Sequence, residues 1–209
     1  MANRTYRMSR RAEALDATRE RIVEATMALH GEQGVVATSH TEIAARAGVG
    51  PATVYRHFPT LGSLVEACSA QVREAIRPPV PEDVPGIFDG LGTRVERLER
   101  LVAELDAFYE RGAPFIAAAE RDRERVPELD ASVRRSEAGI EALVRAAIGP
   151  DAAEPTVRLV MALTSFPVWM SLKRLGEPPA EVRRLIVRVV RCAIAPADAA
   201  LDSSIAAIS

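Results

Sequence analysis

Residues 38–58, TSHTEIAARAGVGPATVYRHF, restrict the fold of this 209-residue chain more than any other stretch. Ser39 followed three residues later by Glu42 forms a capping box, which predicts the start of a helix. Gly48 predicts its end, because glycine takes the left-handed conformation that helix C-termini commonly need. Pro51 suits the first turn of a second helix, since its missing N–H would be unpaired there. We therefore predict two short helices separated by a tight turn.

The second helix has two chemically different faces. Val54 and Phe58 lie four residues apart and form the stripe that we expect to be buried. The opposite face carries groups that bond phosphates and base edges, namely Thr53, Arg56 and His57, with Tyr55 at its edge. A helix this short is unstable alone, so its neighbours must hold it in place. This arrangement is typical of the recognition helix of a helix-turn-helix.

The same stretch carries a longer motif, T-S-x-x-E-I-A-x-x-A-G-V-x-x-x-T-V-Y-x-H-F. The motif resembles the DNA-binding signature of the tetracycline-repressor (TetR) family of bacterial transcriptional regulators, and the resemblance covers about residues 12–70. Members of the family usually have a lysine just after the motif, where this chain has Thr60, Leu61 and Gly62. The resemblance implies an all-α fold with an N-terminal three-helix helix-turn-helix domain. It also implies DNA contacts from Thr38, Ser39, Thr41, Pro51, Ala52, Thr53, Tyr55, Arg56 and His57.

Helices are also predicted on both sides of the motif. Residues 12–33 carry an apolar stripe that includes Leu15 and Ile22, which predicts one amphipathic helix. Residues 61–76 carry a second apolar stripe, and the helix that it predicts would link the DNA-binding domain to the C-terminal domain. Four prolines within residues 78–85 exclude a continuous helix there, so we place the domain boundary in that segment. The predicted divisions are a basic flexible arm (1–11), a helix-turn-helix domain with its linking helix (12–77), a helical effector-binding and dimerisation domain (78–196) and a mobile tail (197–209).

The C-terminal part is predicted to contain helices only. One long helix would run over residues 84–111 and end at Gly112, and further helices follow over 127–148, 155–175 and 179–194. Apolar side chains surround the helix at 155–175 on all sides, so one of its faces must be buried outside the monomer. A homodimer through the last two long helices would bury that face. It would also place two recognition helices one DNA turn apart on a palindromic operator.

Large apolar and aromatic side chains are candidates for lining a small-molecule effector pocket in this domain. No buried charge is evident in the pattern, so the expected effector is small and largely apolar, with Tyr109 and Thr164 as polar contacts. Ordinary core packing is the alternative interpretation of each of these residues. The candidates are Phe88, Phe108, Tyr109, Phe115, Met161, Thr164, Phe166 and Trp169.

Charge and composition restrict the class of protein to which this chain can belong. Residues 1–58 hold eight arginines against six acidic residues, although the whole chain has a net charge of −2. No apolar run approaches the roughly 20 residues of a membrane span, and no signal peptide is recognisable, so we expect a cytoplasmic protein. Cys68 and Cys192 are expected to be reduced core residues. No histidine or cysteine spacing indicates a metal site, and no cofactor is predicted.

The predicted function is a DNA-binding transcriptional regulator, specifically a repressor that a small effector releases from double-stranded DNA. Two alternatives from other classes stay open. One is a helical small-molecule carrier or scaffold with a regulator-like DNA-binding domain, and the other is a helical enzyme. An enzyme would require a nucleophile with its base, paired carboxylates or metal ligands, and the sequence has no such signature.

Overall fold

The computed structural model describes residues 2–195, with side chains at residue 10 and from residue 12 onward. Over this range the chain is all-α, as predicted, and has no strand. The tail predicted for residues 197–209 lies outside the described residues. The helices are α1 (Ala2–Gln33), α2 (His40–Ala47), α3 (Pro51–His57), α4 (Leu61–Ile76), α5 (Val84–Ile87), α6 (Arg94–Asp122), α7 (Pro127–Ile148), α8 (Glu154–Leu163), α9 (Phe166–Lys173) and α10 (Pro179–Ile194).

The chain divides into two compact units. Among the described residues, the head unit contains residues 2–77 and 112–134, and the body unit contains residues 78–111 and 135–195. The sequence assigned residues 112–134 to the C-terminal domain, whereas they group with the head unit. Their apolar side chains explain this, because Val126 and Leu129 pack in one cluster with Val35 and Val65 of the head.

The head unit has its main core between α1, α2, α3 and α4. The side chains that fill it are Ile22, Val23, Ala25, Leu29, Ile43, Ala44, Ala47, Val54, Phe58, Leu64 and Cys68. Leu15, which the sequence placed in the apolar stripe of α1, is instead 45 % exposed. It lies two turns before Ile22, where the contribution of α1 to this core begins.

Helix α1 is longer than the sequence predicted. It begins at Ala2, so residues 2–11 are helical where the sequence predicted a flexible arm. No glycine or proline occurs before Gly31, and nothing in the covalent chain therefore interrupts the helix.

Helix α6 differs from its prediction at both ends. Residues 84–93 are not part of it, because α5 stops at Ile87 and Gly90 has a left-handed φ of 77°. A capping box then starts α6, in which the Thr93 hydroxyl accepts from the Glu96 amide at 3.2 Å. The helix also continues through Gly112, where the sequence predicted its end. A Cβ atom at Gly112 would lie 3.3 Å from the Ile76 side chain, so this glycine permits close packing rather than helix termination.

The predicted helix at residues 155–175 is divided in two. Helix α8 ends at Leu163, and α9 begins at Phe166 with Pro167 in its first turn. Proline is compatible with a first turn but would disrupt a helix interior, which explains the break. The body core is formed by Leu98, Leu101, Val102, Leu105, Phe108 and Tyr109 of α6, Leu143 and Val144 of α7, Val157 and Val160 of α8, and Val182, Ile186, Val187 and Val190 of α10.

The two cysteines lie in different environments. Cys68 is buried in the head core, as expected, but Cys192 is exposed, so the predicted core location of Cys192 was wrong. Residue 192 follows Leu185 by seven positions on α10, and both side chains lie on the outer face of that helix. Among the described residues, no helix is both long and apolar enough to cross a membrane.

His30 is a buried ionisable group in the head unit. Its side chain is 5 % exposed, and its Nδ1 atom lies 3.5 Å from Sγ of Cys68. Burial lowers the pKa of His30 from 6.5 to about 4, although the negative charge of Asp122 acts in the opposite direction. Burial also raises the pKa of the Cys68 thiol to about 12. Both groups are therefore neutral at pH 7.

We predict that the head unit loses stability as the pH falls from about 6.5 to 4. The folded state has the lower His30 pKa, so the unfolded chain binds more protons in this range, and the stabilisation present above pH 6.5 disappears. The full effect corresponds to roughly 3 kcal/mol. Urea unfolding of the full chain at pH 7.5 and 5.0 measures the larger part of it, about 2 kcal/mol. His30→Gln should reduce the difference, whereas His57→Gln, the matched control, should retain it. An unchanged difference in His30→Gln would contradict this prediction.

Candidate functional site

Helices α2 and α3 form a helix-turn-helix, as the sequence predicted. The Ser39 hydroxyl accepts a hydrogen bond from the Glu42 amide at 3.2 Å, and the Glu42 carboxylate accepts one from the Ser39 amide at 2.8 Å. Gly48 ends α2 with a left-handed φ of 65°, and Pro51 lies in the first turn of α3. The local sequence therefore determines the bounds of both helices.

The outer face of α3 is polar and accessible. Tyr55 is 54 % exposed, Arg56 is exposed, and Thr53 and His57 are half-buried. The Arg56 Nη2 atom lies 3.4 Å from the Thr53 hydroxyl, so these two side chains adjoin along one turn. The inner face carries Val54, which is fully buried. This geometry presents the Tyr55 and Arg56 side chains to solvent, whereas the Nε2 atom of His57 is buried without a hydrogen-bond partner.

His40 supports this face from the neighbouring helix. Its ring stacks on the Tyr55 ring with a centroid separation of 4.4 Å and an interplanar angle of 1°. The contact fixes the orientation of an otherwise exposed phenol. Sequence reasoning did not assign His40 to the site, because nothing in the local pattern of α2 indicates a ring on α3 as its partner.

The remaining predicted DNA-binding residues differ in accessibility. Thr41, Pro51 and Ala52 are exposed. Thr38 is buried, and its hydroxyl donates to the Gly34 carbonyl at 2.7 Å. The Ser39 side chain is exposed, but its hydroxyl forms the cap of α2. The side chains of residues 38 and 39 thus hold the turn before α2 in shape.

The turn at residues 34–38 is also held by an acidic residue that is distant in sequence. The Asp122 carboxylate is 6 % exposed and accepts hydrogen bonds from the Val35 amide at 2.6 Å and the Val36 amide at 3.1 Å. These amides have no helical partner between α1 and α2, and Asp122 supplies the acceptor. Sequence reasoning missed Asp122, since no local signal links the end of α6 to this turn.

Several head arginines are engaged in intramolecular contacts. Arg46 forms a 2.8 Å salt bridge with Glu32, and the Arg19 guanidinium lies 4.5 Å from the centroid of the Phe58 ring. Residues 60–62 stand where the TetR family usually has a lysine, and there Thr60 caps α4 by accepting from the Ser63 amide at 3.0 Å. Arg56 is the arginine of α3, and its side chain is exposed to solvent.

A separate feature of the body unit is a small cavity between α6, α8, α9 and α10. Its volume is about 10 Å³, which is room for a single water. Aromatic rings adjoin it, with the Tyr109 and Trp169 centroids 5.7 Å apart and the Phe166 and Trp169 centroids 5.8 Å apart. The lining residues are Val102, Leu105, Asp106, Tyr109, Leu163, Thr164, Trp169 and Ile186.

The structure brings together some of the predicted effector residues but not all of them. Tyr109, Thr164 and Trp169 line the cavity, and the Tyr109 hydroxyl donates to the Thr164 carbonyl at 3.0 Å. Phe108 and Phe166 belong to the adjoining aromatic cluster. The predicted residues that neither line the cavity nor belong to this aromatic cluster are Phe88, Met161 and Phe115, of which Phe115 belongs to the head unit.

Asp106 corrects the expectation that no charge is buried in this domain. It is 8 % exposed, and its carboxylate accepts from Trp169 Nε1 at 2.8 Å and from Arg183 Nη1 at 2.7 Å. The sequence signal that could have identified it is its position four residues after Val102, which places an acidic residue within the apolar stripe of α6.

No cluster of potential metal ligands occurs among residues 2–195 that the structure describes.

Comparisons with known proteins agree with this architecture. Residues 22–68 match the family model for bacterial regulatory proteins of the tetR family. The matched family consists of regulators rather than enzymes. In sequence alone, none of the curated proteins matches the chain.

Several solved structures share the fold. The multidrug binding protein EbrR complexed with imidazole is 22 % identical, with a TM-score of 0.57, and the match covers 86 % of this chain and 91 % of that protein. A protein from Streptomyces coelicolor A3(2), described as a transcriptional regulator, is 21 % identical at a TM-score of 0.58, with 86 % and 99 % covered. LfrR from Mycobacterium smegmatis, in complex with proflavine, is 20 % identical at a TM-score of 0.53, with 88 % and 99 % covered.

We predict that Asp122→Ala lowers the free energy of unfolding by roughly 2 kcal/mol, because it leaves the Val35 and Val36 amides without their acceptor. Asp122→Asn retains one acceptor oxygen and should cost less than half as much. Urea unfolding followed by circular dichroism measures both changes. The control is Asp130→Ala, which removes a partly exposed carboxylate of the head unit and should change stability much less than Asp122→Ala does. Equal losses for the Asn and Ala variants would contradict the amide explanation.

Proposed function

We propose that this chain, whose residues 22–68 match the family model for bacterial regulatory proteins of the tetR family, binds duplex operators as a repressor. The observation that carries the proposal is the outer face of α3, where Thr53, Tyr55, Arg56 and His57 are presented on a capped helix-turn-helix. A carrier or scaffold would have no use for such a face. Repression of bacterial genes takes place in the cytoplasm, where we place the protein.

The residues of α3 divide into two roles in this proposal. Arg56 and Thr53 read base edges in the major groove. Arginine donates hydrogen bonds to the acceptor atoms of guanine, and the threonine hydroxyl can both donate to and accept from a base. Tyr55 and His57 contact phosphates and set the register of the helix. The stacking of Tyr55 on His40 supports this division, because a phosphate contact that sets register needs a fixed side chain. Ser39 and Thr41, both exposed near the start of α2, provide further contacts to the DNA phosphates.

We predict that Arg56→Ala broadens sequence preference, at a cost of about 1–3 kcal/mol for the preferred operator. Selection of bound duplexes from a random pool identifies the operator, and titrations at fixed salt measure its affinity. Arg134→Ala is the matched control, because Arg134 is a 73 % exposed arginine of the head unit outside α3. If Arg56→Ala selects the same sequences as the parent with equal affinity, α3 does not read bases in this way.

Tyr55→Phe tests the phosphate role separately. The variant keeps the ring that stacks on His40 and removes only the hydroxyl. We predict that it weakens specific and non-specific duplexes by the same factor, because phosphate contacts are independent of sequence. Titration of the selected operator and of a scrambled duplex gives the two factors. A loss confined to the operator would assign Tyr55 to base recognition instead.

A homodimer is the proposed binding species. Helices α8 and α10 pack against each other and leave apolar side chains on their outer faces. Leu159 is 42 %, Leu185 38 % and Val189 42 % exposed. A second copy related by a twofold axis would bury these residues in a four-helix arrangement. The same axis would supply the second α3 that a palindromic operator requires.

We predict that the double variant Leu185→Glu, Val189→Glu is monomeric and has lost most of its operator affinity, although every residue of α3 is intact. Four carboxylates would face one another across the proposed axis, which opposes association. Sedimentation gives the mass, and gel shift gives the affinity. Leu175→Glu is the control, because Leu175 is 65 % exposed and lies outside α8 and α10. A dimeric double variant with full affinity would place the interface elsewhere.

A small, largely apolar effector is the proposed release signal. The cavity beside Tyr109, Thr164 and Trp169 supports a site in the body unit. EbrR with imidazole and LfrR with proflavine share the fold and hold small molecules, which is consistent with such a role. A ligand releases DNA only when it binds the DNA-free form more tightly than the DNA-bound form. Release of the selected operator by compounds from a screened panel tests this part of the proposal.

A further inference from the structure

The chemistry of Asp106 identifies a class of ligand for the body unit. The carboxylate lies on α6 among Val102, Leu105 and Tyr109, in surroundings that are otherwise apolar. A buried carboxylate is strongly destabilising unless a cation and hydrogen-bond donors compensate it. Trp169 Nε1 provides a donor to one oxygen, and the Arg183 guanidinium provides the charge at the other.

Arg183 reaches this site from the protein surface. Its side chain is 39 % exposed, whereas that of Asp106 is 10 % exposed. The guanidinium would therefore be solvated again if it left this position, whereas the carboxylate would stay buried. If Arg183 leaves, Asp106 retains a buried negative charge that requires another cation.

A second cation lies near the ring of Trp169, one of the residues that line the cavity. Lys173 Nζ lies 5.4 Å from the centroid of the Trp169 ring and pairs with Glu110. Aromatic faces attract cations through their quadrupole. Two cationic side chains of the protein thus occupy the positions, beside Asp106 and beside the Trp169 ring, that favour positive charge.

The cavity itself holds about one water, so a ligand must displace part of the protein to enter. The Arg183 side chain is the part with access to solvent. Its departure would enlarge the cavity next to Asp106, which the Tyr109 and Trp169 rings line. These two rings are inclined at 54°, so a flat aromatic group would stack on one ring and meet the other at an angle, an arrangement that aromatic pairs favour.

We propose that the body unit binds a flat aromatic cation, which replaces the Arg183 guanidinium beside Asp106 and packs against the Trp169 ring. This inference rests on the proposed function, since it names the chemical class of the effector. Arg183 acts as an internal competitor of the ligand. Its displacement would also remove the Arg183–Asp106 contact between α10 and α6. Leu185 and Val189 of the proposed dimer interface lie on the same helix, α10.

Binding is tested on the full chain without DNA, using three probes of similar size at pH 8. N-methylquinolinium is the cation, quinoline the neutral analogue and naphthalene-2-carboxylate the anion. Trp169, the single tryptophan of the chain, reports binding by fluorescence, and calorimetry provides the dissociation constants. We expect the cation to bind at least tenfold more tightly than either analogue. Equal binding of all three probes, or tightest binding of the anion, would overturn the proposal.

Two variants are expected to change cation affinity in opposite directions. Asp106→Asn keeps an acceptor for Trp169 Nε1 but removes the charge, and should weaken the cation at least tenfold while leaving quinoline unchanged. Arg183→Gln removes the competitor and should tighten the cation several-fold. Arg184→Gln, at the adjacent exposed position, is the matched control and should change nothing. A purely structural Asp106–Arg183 pair predicts no gain in Arg183→Gln, and that result would overturn the proposal.

The outcomes separate this inference from the proposed function. The Asp106→Asn result counts only if the circular dichroism of the variant matches that of the parent. If it does not, Arg183→Gln decides between the outcomes, because misfolding does not produce a gain in affinity. Gel shift with the selected operator is measured independently of the probes. Operator binding without cation binding refutes the ligand class and leaves the regulator intact. Cation binding without operator binding refutes the regulator and leaves the site.

Discussion

The burial of the inner face of α3 is the interaction on which the proposed DNA-facing surface depends. A helix of seven residues is too short to be stable alone in water. Val54 and Phe58, which follows its last turn, are 0 % and 1 % exposed and pack with Ile22 of α1 and Leu64 of α4. The core therefore holds the helix, and its outer side chains are free to be polar because they contribute little to that packing.

Polar contacts then determine where the helix-turn-helix begins. The apolar cluster holds α1 against α2, but it does not specify the path of the turn between them. The Asp122 carboxylate does so by accepting from the Val35 and Val36 amides, and the Thr38 hydroxyl does so by donating to the Gly34 carbonyl. Residues of α6 thus contribute directly to the conformation of the head unit, although they are distant in sequence.

The body unit uses buried charge differently. Asp122 is satisfied mainly by backbone amides, whereas Asp106 is satisfied partly by the Arg183 side chain, which is 39 % exposed. Arg183 is the partner that the proposed ligand would replace. The indole of Trp169 keeps its own hydrogen bond to Asp106 in place. A spectroscopic change at Trp169 would therefore report directly on this carboxylate.

The sequence alone determined the helical class, the bounds of α2, α4, α7 and α10, and the outward residues of α3, because capping boxes, prolines and apolar spacing act within a few residues. Only the tertiary structure decided that α6 continues through Gly112, that Asp122 holds the turn before α2, and that Asp106 is buried. These depend on which elements pack together, as Ile76 does against Gly112. Local patterns do not encode such partners, since a contact across dozens of residues arises only after the chain has folded.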